Sequence, residues 1–250
     1  MLTDDNFATL VRAVELGRDI YRRISTYIRM QLTILSSVLQ LMVYATILNI
    51  NGGVALFPLQ LLFCKFFVVI TVVIGFIVDV PDPGVMQRPP RKPGTKIVTR
   101  PWIIRWFIFG FVVAATALSV LEWGPGKPST THASVNMTMA FAIISLSAVN
   151  IGLVMRRERQ APWSSPVFPY LGWIILGWII TWAAVELNML QRLLDTTSLS
   201  GREWIIVLAL SLLAPAVVAV DKVTQLRRQN KALIGGSAEL KADPAVQAST

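Results

Sequence analysis

Six stretches of about 20 mainly apolar residues, roughly 26–48, 54–78, 102–122, 136–155, 167–187 and 203–220, constrain this chain more than any other feature. A helix needs about that many residues to cross the ~30 Å hydrocarbon core of a bilayer. In lipid every backbone N–H and C=O must be satisfied within the protein, so spans of this composition are helices. With 54% hydrophobic and 15% charged residues, the chain has too little polar character for a soluble domain of 250 residues. The expected fold class is an all-α integral membrane protein of six transmembrane helices. The expected organisation is a cytoplasmic amphipathic helical stub (1–25), the six-helix domain (26–221), and a basic and then disordered cytoplasmic tail (222–250).

The charges set an orientation. Arg12, Arg18, Arg22, Arg23 and Arg29 precede the first span, and Arg88, Arg91, Lys92, Lys96 and Arg100 follow the second. Arg156, Arg157 and Arg159 follow the fourth, and Lys222, Arg227, Arg228 and Lys231 follow the sixth. The alternate loops hold no base, Lys127, and Arg192 with Arg202, so the positive-inside rule puts both termini in the cytoplasm. The net charge of +9 belongs to these connections, where it meets anionic headgroups, and nucleic acid is not expected as a partner. Tryptophans 102, 106, 123, 173, 182 and 204 lie mostly near span ends, as interfacial anchors do.

A single cysteine, Cys64, and a single histidine, His132, supply neither a disulfide nor a Cys/His metal cluster within one chain. No metal and no cofactor is expected; a packed thiol and an exposed loop imidazole are. The first apolar run follows an acidic, arginine-containing stretch and is too long for a signal peptide. Short loops and the lack of that signal lead to an expected place in a bacterial plasma membrane.

Ahead of the first span, Thr3 or Asp4 can cap a helix in which Phe7, Leu10, Val11, Val14, Tyr21, Ile24 and Ile28 form an apolar stripe, with arginines on the other face. The stripe can lie on the membrane surface or against a cytoplasmic partner. Residues 232–250 are small and polar without periodicity, and are expected to be disordered.

Several motifs carry a resemblance. Asp4-Asp5-Asn6-Phe7, Val14-Glu15-Leu16-Gly17-Arg18-Asp19-Ile20-Tyr21 and Tyr27-Ile28-Arg29 resemble the stretch that leads into the fifth membrane helix of type II P-type cation ATPases, the calcium-pump group. Pro58-Leu59-Gln60-Leu61-Leu62 resembles the start of that family's sixth helix, and Thr138-Met139-Ala140-Phe141 the start of its eighth. Met86, Arg88, Pro89, Pro90 and Arg91 resemble the cytoplasmic loop after the sixth helix, at ungapped spacing from the Pro58 motif. The resemblance runs from Met1 to about Lys222 and implies helices five to ten of a pump. The family's DKTGT, TGES and GDGxND motifs occur nowhere in this sequence, so no ATPase activity is expected from the chain alone.

The resemblance also implies where an ion site would lie. The family's asparagine and glutamate ligands in the first span correspond to Leu35 and Val38, and its asparagine, threonine and aspartate in the second to Lys65, Val68 and Val69. Ala148 stands near its ligand in the fourth. Hard cations need several oxygens, and these positions offer none. The family's Asp-Gly-x-Pro breaker reads Val69-Ile70-Thr71-Val72, so a continuous second helix is expected. Lys65, near mid-membrane, costs roughly 2.5–3.5 kcal/mol on insertion scales. It is either a tethered cation in the vestigial site, hydrogen-bonded to Gln40, Ser36, Ser145, Ser147 or Asn150, or a neutral or snorkelling residue. Gln31, Gln40 and Asn150 are read as interhelical glue, Gly152, Gly172 and Gly177 as sites of close packing, and Asn136-Met137-Thr138 as a chance glycosylation sequon.

Three functions are open on this sequence. One is a non-catalytic membrane subunit or scaffold that binds lipids or another membrane protein. The second is the transport subunit of a split pump, moving protons or another cation with catalytic domains on a separate ATPase chain. The third is a non-functional pump fragment, suggested because Met1 falls inside a domain of the family.

Overall fold

The computed structural model describes residues 7–79, 86, 99–156 and 168–242. Arg88, Pro89, Pro90, Arg91, the cap at Thr3 or Asp4, and Arg157 and Arg159 lie outside them; Met86 lies in an exposed turn. The described residues are helical apart from short connections. They comprise α1 (Phe7–Ile47), α2 (Pro58–Phe63), a π-helical segment (Cys64–Val68), α3 (Val69–Val78), α4 (Arg100–Trp123), α5 (Val135–Met155), α6 (Phe168–Glu186), α7 (Asn188–Leu194), α8 (Gly201–Ser211) and α9 (Leu213–Ala242).

Five helical runs are long and apolar enough to cross a membrane: those within α1, α2–α3, α4, α5 and α8–α9. The sixth expected span is α6, which meets α7 at 80° and qualifies only together with it. This is an integral membrane protein. With 41 residues at ~1.5 Å each, α1 is about twice as long as the hydrocarbon core is thick. α9 remains helical through Ala242, so residues 232–242 do not follow the expectation of disorder, and 243–250 lie outside the described residues. Ala, Leu, Lys and Glu in that stretch are good helix formers, which outweighs the missing apolar stripe.

α5 is the axis of the bundle, with its residues from Asn136 to Gly152 all buried and α4, α6, α8 and α9 packed around it. Its composition allows this, because Ala140, Ala142, Ser145, Ser147, Ala148 and Gly152 let neighbouring backbones approach. A methyl on Gly152 would sit 2.3 Å from Val72 Cγ1, and one on Gly177 2.8 Å from Thr71 Oγ1. Gly172 has open space instead and has no packing role. Gly152→Ala should therefore cost about 1–3 kcal/mol through overpacking, whereas Gly172→Ala should leave the melting temperature unchanged or raised; equal effects would refute this assignment.

The loop ends are fixed by polar residues. The turn after α1 takes left-handed backbone at Asn49, Asn51 and Gly52, and Asn51 exchanges hydrogen bonds with Ser129 at 3.1 and 2.8 Å. Asn136, 2% exposed, accepts from the Gly126 amide at 2.7 Å and donates to the Leu121 and Gly126 carbonyls. Its amide is fully used in closing the α4–α5 hairpin, so the sequon around it is structural.

In the last span, Pro215 has no N–H to give the Ser211 carbonyl, and the helix breaks at Leu212 between α8 and α9. Ser147 on α5 donates to that freed carbonyl at 3.2 Å.

Candidate functional site

The second span is helical from Pro58 to Val78, but it is not a uniform α-helix. At Cys64–Val68 it winds into a π-turn, in which the Val69 amide reaches back five residues to the Cys64 carbonyl. Thr71 Oγ1 bonds the Val68 carbonyl at 2.7 Å. A run of β-branched and aromatic residues gives no hint of this from sequence. π-Turns inside α-helices are frequent at functional sites, and this one contains Lys65.

Lys65 is half-buried, and its Nζ is buried with no hydrogen-bond partner among the described residues. None of the five expected partners bonds it. Gln40 Nε2 donates to Ser36 Oγ at 2.9 Å and to the Phe107 carbonyl at 3.1 Å. Ser147 serves Ser211, and Asn150 Oδ1 accepts from Trp178 Nε1 at 3.2 Å. Ser145 Oγ is buried without a hydrogen-bond partner among the described residues. The tethered-cation arrangement is therefore not formed.

Val68, Val69 and Ala148 are buried in the core, and Val38 is partly buried against it. Leu35, 45% exposed, faces outward and does not join them. The buried stripe of α1 runs through Met30, Ile34, Ser37 and Leu41, which leaves Leu35 about 100° away from it. Lys65, Val38, Val68, Val69 and Ala148 carry no side-chain oxygen that could bind a cation. Among the described residues no three His, Cys, Asp or Glu side chains gather.

A second polar cluster, less legible in the sequence, lies at the end where the arginines collect. The Arg22 and Arg23 guanidiniums grip Asp19 at 3.0 and 2.7 Å. Arg23 also donates to the carbonyls of Phe76, Ile77 and Asp79 at 2.6–2.8 Å, capping the carboxyl end of α3. Arg156, at the end of α5, bonds the Asp79 carboxylate at 3.3 Å, with both side chains 3% exposed, and its carbonyl accepts from Arg22. On the arginine face of α1, Asp19, Arg22 and Arg29 are thus packed, whereas Phe7, Leu10, Val11, Val14 and Ile24 of the apolar stripe are exposed.

Burial raises the Asp19 carboxyl, but hydrogen bonds from Arg23 and Arg22 and their charges outweigh it and hold the group below its ordinary value of 3.8. A carboxyl lowered on folding stabilises the fold above its unfolded pKa, and that stabilisation disappears as pH falls through the folded value. Thermal unfolding should thus lose stability below about pH 4, with a shallower loss in Asp19→Asn; identical profiles would dismiss the role.

The family model for the C-terminus of cation-transporting ATPases matches residues 53–224. The chain belongs to this family. Among its relatives, the probable cation-transporting ATPase F of Mycobacterium tuberculosis is 24% identical over 229 residues, covering 88% of this chain and 24% of the relative. The endoplasmic reticulum calcium ATPase srcA of Aspergillus fumigatus is 28% identical over 257 residues, covering 89% of this chain and 26% of the relative. The chain spans about a quarter of the length of these relatives. In this cation-transporting ATPase C-terminal domain, several of the motif residues have structural reasons. Gln60, fully buried, accepts from the Phe57 amide and donates to the carbonyls of Leu194 and of Asp195, whose φ is 50°. Thr138 ties the start of α5 to Thr197 at 3.2 Å. Cys64 is a packed thiol, and His132 an exposed imidazole 3.5 Å from Asp195.

Proposed function

We propose that this chain acts as a non-catalytic membrane module, a subunit or scaffold that keeps the architecture of a cation-pump C-terminal domain around a degenerate ion site. The observation that carries this reading is Lys65, whose buried ammonium lies without a partner in the π-turn where the family resemblance puts cation ligands. Val68, Val69 and Ala148, which the resemblance sets at other ligand positions, are buried and apolar, and a dehydrated cation gains nothing from them. The loop charges support cytoplasmic termini, and a multi-pass place in a plasma membrane follows the reading made from the sequence.

The exposed stripe from Phe7 to Ile24 favours a second reading, a transport subunit of a split pump completed by catalytic domains on another chain. The outward apolar positions Leu35, Leu39 and Val43 on α1 and Phe66, Phe67 and Ile70 on the second span would then seat further helices; otherwise they meet lipid.

Purification from native membranes in mild detergent, followed by mass spectrometry, separates the two. A membrane protein without an aspartyl-phosphorylation motif supports the scaffold. A stoichiometric partner bearing that motif would replace it with the split pump.

A further inference from the structure

At the arginine-rich end, α1, α4, α5 and α9 leave a recess of about 60 Å³ between them. Thr26 and Arg29 of α1, Trp102 of α4, Met155 of α5, and Asp221 and Lys222 of α9 line it. Phe109 and Val218, each 4% exposed, add an apolar inner wall. Arg29, Trp102 and Lys222 all stand near the ends of apolar stretches, at the level where spanning helices meet headgroups.

The charges around this recess are held in place and are unequal. The Arg29 guanidinium lies 4.2 Å from the centre of the Trp102 ring and that of Arg105 5.3 Å from it, so one indole gathers two cations. Lys222 Nζ donates to the Val154 carbonyl at 2.8 Å, which fixes the ammonium beside the end of α5. Asp221 is the one acid in the lining among the described residues, and its carboxylate meets Arg105 Nε at 3.5 Å and accepts from Gln225. Three bases against one acid leave an excess of two positive charges, 3 − 1, around a small space with apolar walls. Such an arrangement concentrates positive potential where water is scarce.

We propose that the recess binds one phosphate group. A single water needs roughly 10–15 Å³, so about 60 Å³ holds a phosphate group but no acyl chain or nucleoside. Guanidinium forks match pairs of phosphate oxygens, and a lysine adds a point charge. The group can belong to an anionic phospholipid, since basic pockets between spanning helices take such headgroups, or to free phosphate, which has the same chemistry. The site is independent of whether the chain carries any cation.

The test titrates the full chain, purified in a neutral detergent at fixed ionic strength, with phosphatidylglycerol, phosphatidylcholine or inorganic phosphate while the melting temperature is followed. A saturable rise with phosphatidylglycerol, and little with phosphatidylcholine, whose choline cancels the phosphate charge, assigns the site to a lipid headgroup. A saturable rise with inorganic phosphate assigns it to the free ion. In either case Lys222→Gln and Arg105→Gln should each raise the half-saturating concentration about five-fold. Asp221→Asn, which removes the competing carboxylate, should lower it by a similar factor. Arg228→Gln, at an exposed base of α9 outside the lining, should leave it unchanged. Lys222→Gln keeps a donor for the Val154 carbonyl, and Arg105→Gln alters a partly exposed pair, so both variants should fold. The proposal is overturned if none of the three additives gives a saturable rise. It is also overturned if Arg228→Gln weakens binding as much as Lys222→Gln, which would mark general attraction of anions to a basic surface.

Discussion

Replacing Arg156 by methionine should destabilise the protein by about 3–5 kcal/mol, the cost of breaking a buried ion pair from one side. For a chain of this size that lowers the melting temperature by roughly 6–20 °C. Arg156 bonds the Asp79 carboxylate, both side chains are 3% exposed, and its guanidinium stands 5.4 Å from the Tyr170 ring. Asp79 closes α3, whose last carbonyls are held by Arg23 of α1. Removing one guanidinium thus weakens the junction of α1, α3, α5 and α6 at once. Exposed pairs offer the contrast: loss of the Arg105–Asp221 contact, 3.5 Å with both side chains about 30% exposed, should cost under about 1 kcal/mol. Thermal unfolding of both variants in one detergent makes the comparison. A loss below about 1 kcal/mol at Arg156 would show that the cluster is incidental.

Lys65→Met is expected to act in the opposite direction. An ammonium at this depth costs roughly 2.5–3.5 kcal/mol on insertion scales, and no hydrogen bond offsets it among the described residues. Methionine fills similar space with an adaptable apolar chain, so the variant should gain up to about 2–3 kcal/mol. A tethered cation gives the reverse sign, because its partners would lose their donor. Destabilisation by more than about 1 kcal/mol would mean that Lys65 is held by an interaction, and the degenerate-site reading would fail.

The spans were legible because apolar length is a one-dimensional property, and five of the six meet the criterion in single helical runs. The sixth was legible as an apolar stretch, but the 80° bend after Glu186 was not. Substitution of ligand positions by Val68, Val69 and Ala148 could be read from motif spacing, whereas the phase of α1, which turns Leu35 outward, depends on which face packs. Asp19, Arg22 and Arg29 lie on the packed face, although they stand opposite the apolar stripe that pattern reading picks out. Arg22 and Arg23 find acceptors 134 and 53 positions away in sequence, and no local pattern reveals those. Pro215 was visible and marks a break, yet only the fold shows that Ser147 answers it. The π-turn leaves no sequence signal among residues that all favour helix in lipid.

ATP-driven flux tests the central claim most directly. The protein, purified from its own membranes with everything that accompanies it, would be reconstituted in vesicles and followed for calcium, sodium and proton movement. The degenerate-site account predicts no ATP-dependent flux of any of the three, with Lys65 intact or replaced by methionine. An ATP-dependent flux that Lys65→Met abolishes would contradict it and make this chain the membrane half of a working pump.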